Sequence, residues 1–118
     1  GRYDRYLRSA QRVDAFLAEL WAFFQSHPEY RGQTTMIVTT DHGRGRTAQD
    51  WSDHGPDVAG AEEMWLAILG PDTPALGERT NALPVIQSQI ASTLAAFLGI
   101  DYRGEMRRPA PAIADVVR

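Results

Sequence analysis

Apolar and polar positions divide the chain into helical and extended segments. From Tyr3 to Phe24 apolar residues recur at spacings of three and four, which predicts an amphipathic helix of about 22 to 25 residues. The stretch SHPEYRGQ, residues 26 to 33, should end this helix at its proline and glycine. Asp14 falls on the side expected to face the core, where a carboxylate needs a donor. We expect an arginine or backbone N–H partner, with a direct catalytic role as the alternative.

Two short apolar runs predict buried strands. They are TTMIVTT at residues 34 to 40, which is rich in β-branched residues, and MWLAILG at residues 64 to 70. Both runs are apolar on both faces, the pattern of interior strands covered on each side. About 23 residues rich in Gly, Asp, Arg and His separate them, and an irregular segment of that length inside a compact domain is usually functional.

The rest of the chain predicts a second helix and a tail. Pro84 suits the first turn of that helix, and Gly99 suits the first position after its end. Residues 100–118 should form a mostly irregular tail in which the segment Ile113 to Val117 docks. The order helix, strand, long loop, strand, helix indicates α/β layers in one partial domain over residues 1–118.

Composition excludes several classes of function. All 12 basic residues are arginines, scattered among 15 carboxylates for a net charge of −3, so no basic stripe for nucleic acid is expected. The chain has no cysteine, which rules out disulfides and thiolate ligands. Runs of about 18 apolar residues do not occur, so we expect no membrane span.

Candidate chemistry concentrates in the long loop. Asp41 and His42 follow the first predicted strand directly, and His54 follows twelve residues after His42. Carboxylate oxygen and imidazole nitrogen are ligands expected for zinc or manganese. Gly43 and Gly45 would let the backbone bend and approach closely. The alternative is a surface turn in which these residues have structural roles.

The sequence resembles the C-terminal part of the alkaline phosphatase superfamily, which includes phosphatases, nucleotide pyrophosphatase/phosphodiesterases, sulfatases and cofactor-independent phosphoglycerate mutases. TTMIVTTDHGRG is similar to the metal-binding strand and loop of that superfamily, and the DHG at residues 53 to 55 is similar to its later histidine motif. GRYDRYLRSAQRVDAFLAEL is similar to its long helix, and IASTLAAFLGID to its closing helix. The implied fold is the C-terminal part of a three-layer α/β/α sandwich with a mixed, mainly parallel sheet.

The resemblance also implies an activity. Members hydrolyse or transfer phosphate or sulfate esters on two divalent metal ions, with Zn²⁺ expected here over Mn²⁺. Asp41 and His42 fall where the superfamily binds the metal that activates its nucleophile, and His54 falls where it binds the other metal. Arg44 and Arg46 could contact an anionic small-molecule substrate, with solvated loop charges as the alternative. Asp53 could orient a ligand, with an exposed turn aspartate as the alternative.

The chain departs from the superfamily pattern at its beginning. The Ser or Thr nucleophile, its nearby Asp and a D-x-x-x-H motif would all lie upstream of Gly1, in a missing N-terminal half. We therefore expect a C-terminal fragment of a metalloenzyme that is inactive in isolation. The alternative is a non-catalytic, truncated α/β module that packs against a partner chain and binds at most one metal. The compartment stays open, although the resemblance favours an exported or periplasmic protein.

Overall fold

The computed structural model describes residues 2–80, 83–102 and 108–118. Its four elements are α1 (Tyr3–Ser26), β1 (Met36–Thr39), β2 (Leu66–Leu69) and α2 (Gln89–Phe97). The chain divides into two compact units, Gly1–Ala67 and Ile68–Arg118, with the boundary inside β2. Neither helix is long and apolar enough to cross a bilayer, as far as the described residues show.

The predicted three-layer α/β/α sandwich with a mainly parallel sheet is wrong for this structure. Among the described residues, β1 and β2 form one two-stranded antiparallel sheet. Parallel pairing needs a crossover, usually through a helix, whereas the residues between β1 and β2 form turns and irregular backbone. They fold back so that the Thr39 hydroxyl, at the end of β1, donates to the Trp65 carbonyl just before β2 at 2.8 Å.

The strands are also less covered than predicted. Met36, Ile37 and Val38 of β1 are half-buried, while Thr39 and, in β2, Ala67 are exposed. Their continuous apolar character therefore does not correspond to burial on both faces in the described structure. With four residues each, the two strands provide a short anchor for the long loop between them rather than a central sheet.

Helix α1 has the predicted length but not the predicted burial. None of its residues is buried, and Val13 and Phe16 are 55% and 59% exposed. Asp14 is exposed as well, so the expectation that it faces a core is wrong. The helix ends at Ser26, as predicted, because His27 takes an extended conformation before Pro28.

Helix α2 begins later than predicted and ends where predicted. Pro84 lies in irregular backbone, and the first turn is instead organised by Gln89, whose side-chain oxygen accepts the Ile86 N–H at 3.0 Å. At the other end Gly99 has φ +69°, and its N–H donates to the Ala96 carbonyl while the Ile100 N–H donates to Ala95. This pair of bonds is a Schellman motif, which satisfies the last carbonyls of the helix.

The C-terminal segment packs on α2, in agreement with the predicted docking of Ile113 to Val117. Residues 108–118 contain no helix or strand, whereas 103–107 of the predicted tail lie outside the described residues. Ile113 and Val116 are buried with Ala95. Thr93, which has no exposed surface, accepts the Ile113 N–H on its hydroxyl oxygen at 2.9 Å and donates that hydroxyl to the Gln89 carbonyl.

The Thr93 hydroxyl should be essential for docking this segment. Thr93→Val keeps the shape but leaves the buried Ile113 N–H without its acceptor, so the free energy of unfolding should fall by about 1–3 kcal/mol. Urea denaturation and hydrogen exchange at the Ile113 amide measure both effects. Thr93→Ser, which keeps the hydroxyl, is the control and should retain protection. Equal protection of the Ile113 amide in the Val variant would contradict this role.

Candidate metal centre

The candidate ligands Asp41 and His42 lie directly beyond the end of β1, in the first compact unit. The Asp41 carboxylate turns back on the chain, where Oδ1 accepts the His42 backbone N–H at 3.0 Å. Its second oxygen, Oδ2, lies 3.5 Å from Nε2 of His42. The Asp41 side chain is 84% exposed and that of His42 is 38% exposed, so both side chains lie at the surface of the loop.

The ring of His42 is oriented by the next residue. Its Nδ1 lies 2.7 Å from the carbonyl oxygen of Gly43. A carbonyl oxygen can only accept, so Nδ1 must carry the proton of this hydrogen bond. In the neutral ring the lone pair is then on Nε2, the nitrogen beside Asp41 Oδ2. In a metal-binding histidine, one ring nitrogen usually donates a hydrogen bond that orients the ring, and the lone pair of the other nitrogen binds the metal.

His54 lies against His42. The two imidazole rings are stacked, with centroids 4.1 Å apart and planes 19° from parallel. His54 is exposed and sits in irregular backbone twelve residues further along the chain. The fold therefore brings all three predicted ligands together, although they come from two separate stretches of the loop.

Two glycines make this juxtaposition possible. The Gly43 N–H donates to the Ala61 carbonyl at 2.8 Å, and the Gly45 N–H donates to the Asp53 carbonyl at 3.0 Å. A Cβ on Gly43 would overlap the carbonyl oxygens of Gly60 and Glu63, and one on Gly45 would overlap Asp50. The predicted close approach of the backbone at Gly43 and Gly45 is thus confirmed, and the later part of the loop is its partner.

The predicted substrate contact Arg44 has an aromatic partner. Its guanidinium carbon lies 4.0 Å from the centre of the Tyr6 ring and 5.9 Å from that of Trp51. Trp51 in turn contacts Tyr3 edge-on, at 5.2 Å between ring centroids. These cation–π and aromatic contacts fasten the loop to the beginning of α1. The sequence pattern did not indicate them, because the residues are far apart along the chain.

Arg46 and Asp53 also have defined partners. Arg46 forms an ion pair with Glu63 through two of its nitrogens, and the hydrogen bond to Glu63 raises the pKa of Arg46 above its ordinary value. Asp53 contributes its backbone: its carbonyl receives the Gly45 N–H, while its side chain is exposed. The main chain of Asp53 therefore contacts the stretch that follows His42.

A capped turn precedes His54, and the sequence reasoning missed it. The backbone N–H and the hydroxyl of Thr47 both donate to Asp50 Oδ1 at 2.7 Å, while the Asp50 N–H donates to Thr47 Oγ1 at 3.3 Å. The Trp51 N–H closes the turn on the Thr47 carbonyl at 3.0 Å. This reciprocal pattern resembles a capping box, and the spacing T-x-x-D in TAQD could have revealed it.

The described residues do not form a complete metal site. Within residues 2–80, 83–102 and 108–118, no group of three or more His, Cys, Asp or Glu side chains could hold one metal ion together. Asp41 and His42 form a two-donor pair, and the ring of His54 is parallel to that of His42 rather than directed at the same point. The donors fit a divalent metal by chemistry, but a full coordination shell needs further ligands.

No family model, curated protein or solved structure matches the chain.

Replacing Gly43 should disrupt the close approach of its backbone to the later part of the loop. Gly43→Ala places a methyl group against two backbone carbonyls, which cannot move aside as a flexible side chain could, and should lower the free energy of unfolding by about 1–3 kcal/mol. Gly55→Ala in the same loop is the control, since its Cβ would meet Val58 at an ordinary 3.9 Å. Denaturant unfolding compares the two variants, and equal stability would contradict the proposed close approach.

The capped turn should open in acid. Hydrogen bonds from the Thr47 hydroxyl and N–H lower the pKa of Asp50 below its ordinary value. Their stabilisation is therefore complete above the ordinary aspartate pKa of about 3.9 and is lost as the pH falls through the lowered value. An NMR titration of the Thr47 amide proton should show this transition.

Asp50→Asn is the control for this titration, because it keeps the acceptor oxygen but does not ionise in this range. Its Thr47 amide should be insensitive to acid over the same interval. An identical acid response in the Asn variant would show that Asp50 is not the titrating group.

Proposed function

We propose that Asp41, His42 and His54 are ligands of two divalent metal ions, Zn²⁺ in preference to Mn²⁺, in a hydrolase or phosphotransferase acting on phosphate or sulfate esters. The observation that carries this proposal is the stack of His42 on His54 beside the Asp41 carboxylate. The resemblance of the DHG motifs to the alkaline phosphatase superfamily supports the reaction class.

The Asp41 and His42 pair has the spacing of two ligands on one ion. Zinc binds imidazole nitrogen and carboxylate oxygen at about 2.0–2.2 Å, so two ligands at a tetrahedral angle are about 3.4 Å apart. The separation of Asp41 Oδ2 and His42 Nε2 is 3.5 Å. The tautomer set by the Gly43 carbonyl leaves Nε2 as the free donor. These two residues are therefore proposed to share one metal.

His54 is assigned to a second ion because of the stack. A metal bound by an imidazole lies close to the plane of its ring, so two nearly parallel rings cannot both direct a nitrogen at the same ion. Rings 4.1 Å apart suit two ions instead. Metal ions in two-metal hydrolytic sites are typically about 3.5–4 Å apart.

The bound metals would supply Lewis acidity toward the attacking and leaving oxygens of the ester. The chain's own residues would hold the geometry: the Gly43 carbonyl orients His42, and the Asp53 carbonyl fastens the His54 stretch to Gly45. Arg44 and Arg46 remain proposed contacts for the substrate anion. Each would have to exchange its present partner, Tyr6 or Glu63, for the substrate.

The three residues supply about half of the protein ligands that a two-metal site requires. We propose that the remaining ligands and the nucleophile come from a further part of the parent protein. The competing proposal is a non-catalytic module that binds one metal and packs against a partner. The exposed apolar residues of α1, including Val13 and Phe16, favour such packing.

Metal binding by histidine variants tests the ligand assignment. The full-length gene product should hold close to two Zn²⁺ ions after dialysis, and His42→Ala or His54→Ala should each remove one, as measured by elemental analysis. His27→Ala is the matched control, because the His27 ring bonds to Ser26 and Phe23 at the end of α1.

Hydrolysis of an aryl phosphate or aryl sulfate ester tests the reaction class in the same proteins. Both ligand variants should abolish turnover, while His27→Ala should retain it. Full metal content and activity in His42→Ala and His54→Ala would refute the ligand assignment. One bound ion without turnover in the wild-type protein would favour the non-catalytic module.

A further inference from the structure

We propose that Thr47 and Asp50 are positioning residues, which hold His54 in its stack on His42. The part of this inference that concerns metal affinity rests on the proposed function, whereas the part that concerns the position of His54 does not. The carboxylate oxygen of Asp50 accepts hydrogen bonds from Thr47, so the effect on His54 is proposed to pass through the backbone.

A chain of hydrogen bonds leads from the capped turn to His54. The Asp50 side chain fixes the turn by accepting from Thr47, and the Asp50 carbonyl accepts the Asp53 N–H at 2.7 Å. The Asp53 carbonyl, which belongs to the peptide bond with His54, then accepts the Gly45 N–H at 3.0 Å. The peptide that carries His54 is thereby held against the stretch that carries His42.

The side chain of His54 needs this backbone support. His54 is exposed, so burial in a core does not define the position of its ring. A stack of two rings is itself a weak interaction and depends on both backbones being in place. The turn restricts the Asp53 to His54 peptide from one side, and the Gly45 hydrogen bond restricts it from the other.

The fit between the turn and the loop is also steric. A side chain at Gly45 would overlap both the carbonyl oxygen and the carboxylate of Asp50. Asp50 is therefore packed directly against the backbone between the two histidines. Loss of its carboxylate should release both the turn and this contact, which shifts His54 relative to His42.

NMR of the two imidazoles tests the positioning. In the stack, each ring shifts the carbon-bound protons of the other upfield, and Asp50→Ala should abolish this displacement for both His42 and His54. Thr47→Val, which removes the hydroxyl, should reduce it. Asp50→Asn keeps the acceptor oxygen and should restore the wild-type shifts. Asp57→Ala, at an exposed aspartate of the same loop, is the matched control and should leave them unchanged.

Zinc titration of the same variants in the full-length protein measures the consequence for binding. Residues that orient a metal ligand typically change metal affinity by about 10- to 100-fold, and we expect a loss of this size for Asp50→Ala but not for Asp50→Asn. Far-UV circular dichroism reports whether α1 remains folded. If Asp50→Ala does not fold, the positioning role is tested by comparing Thr47→Val and Asp50→Asn with the wild-type protein.

The outcomes separate this inference from the proposed function. Unchanged imidazole shifts in Asp50→Ala, or failure of Asp50→Asn to restore them, would overturn the positioning role. Loss of the stack without any zinc binding in the wild-type protein would uphold the positioning role and overturn the metal assignment. Loss of the stack together with weakened zinc binding supports both.

Discussion

Two amide hydrogen bonds, from Gly43 to Ala61 and from Gly45 to Asp53, hold the residues after β1 against the later part of the same loop. They form because neither glycine has a side chain to keep the two backbones apart. Once these two hydrogen bonds have formed, the backbone at Asp41 and His42 is held in place, and His54 lies against the His42 ring. The ion pair of Arg46 with Glu63 and the contact of Arg44 with Tyr6 then fasten the loop at its borders. The candidate centre is a product of backbone proximity more than of side-chain packing.

Local signals in the sequence predicted the order of the elements, several of their boundaries and part of the site. The periodicity of α1, the proline after His27 and the glycine after α2 each act within a few residues, and the structure agrees with those boundaries. The start of α2 was misplaced because the Gln89 side chain, rather than Pro84, organises its first turn. The layered sandwich was wrong for a different reason: strand direction depends on the path of the connection, which a short apolar run does not specify.

In the site, too, residue type and spacing were evident from the sequence, whereas contacts between distant residues were not. Asp41, His42 and His54 were candidates because of residue type and spacing, and the fold places them together. The partners that orient them were not evident, since the Gly43 carbonyl on His42 and the Asp53 carbonyl on Gly45 are main-chain groups that every sequence contains. Arg44 was considered for its charge, but its position is determined by Tyr6, a residue on another element. Charge alone does not distinguish an anion contact from a cation–π contact.

The contact of Arg44 with Tyr6 has a consequence for the order of folding. The turn from Thr47 to Asp50 is closed by local bonds, and short loops of this kind close in well under a microsecond. The Arg44 contact joins residues far apart in sequence, so its loop-closure entropy must be overcome before it contributes stability. The long loop between β1 and β2 should therefore become locally structured first. It should reach its final position only when the first turns of α1 dock onto it. Contact order, rather than the strength of any single bond, then determines when the loop that carries the two histidines is fixed against α1.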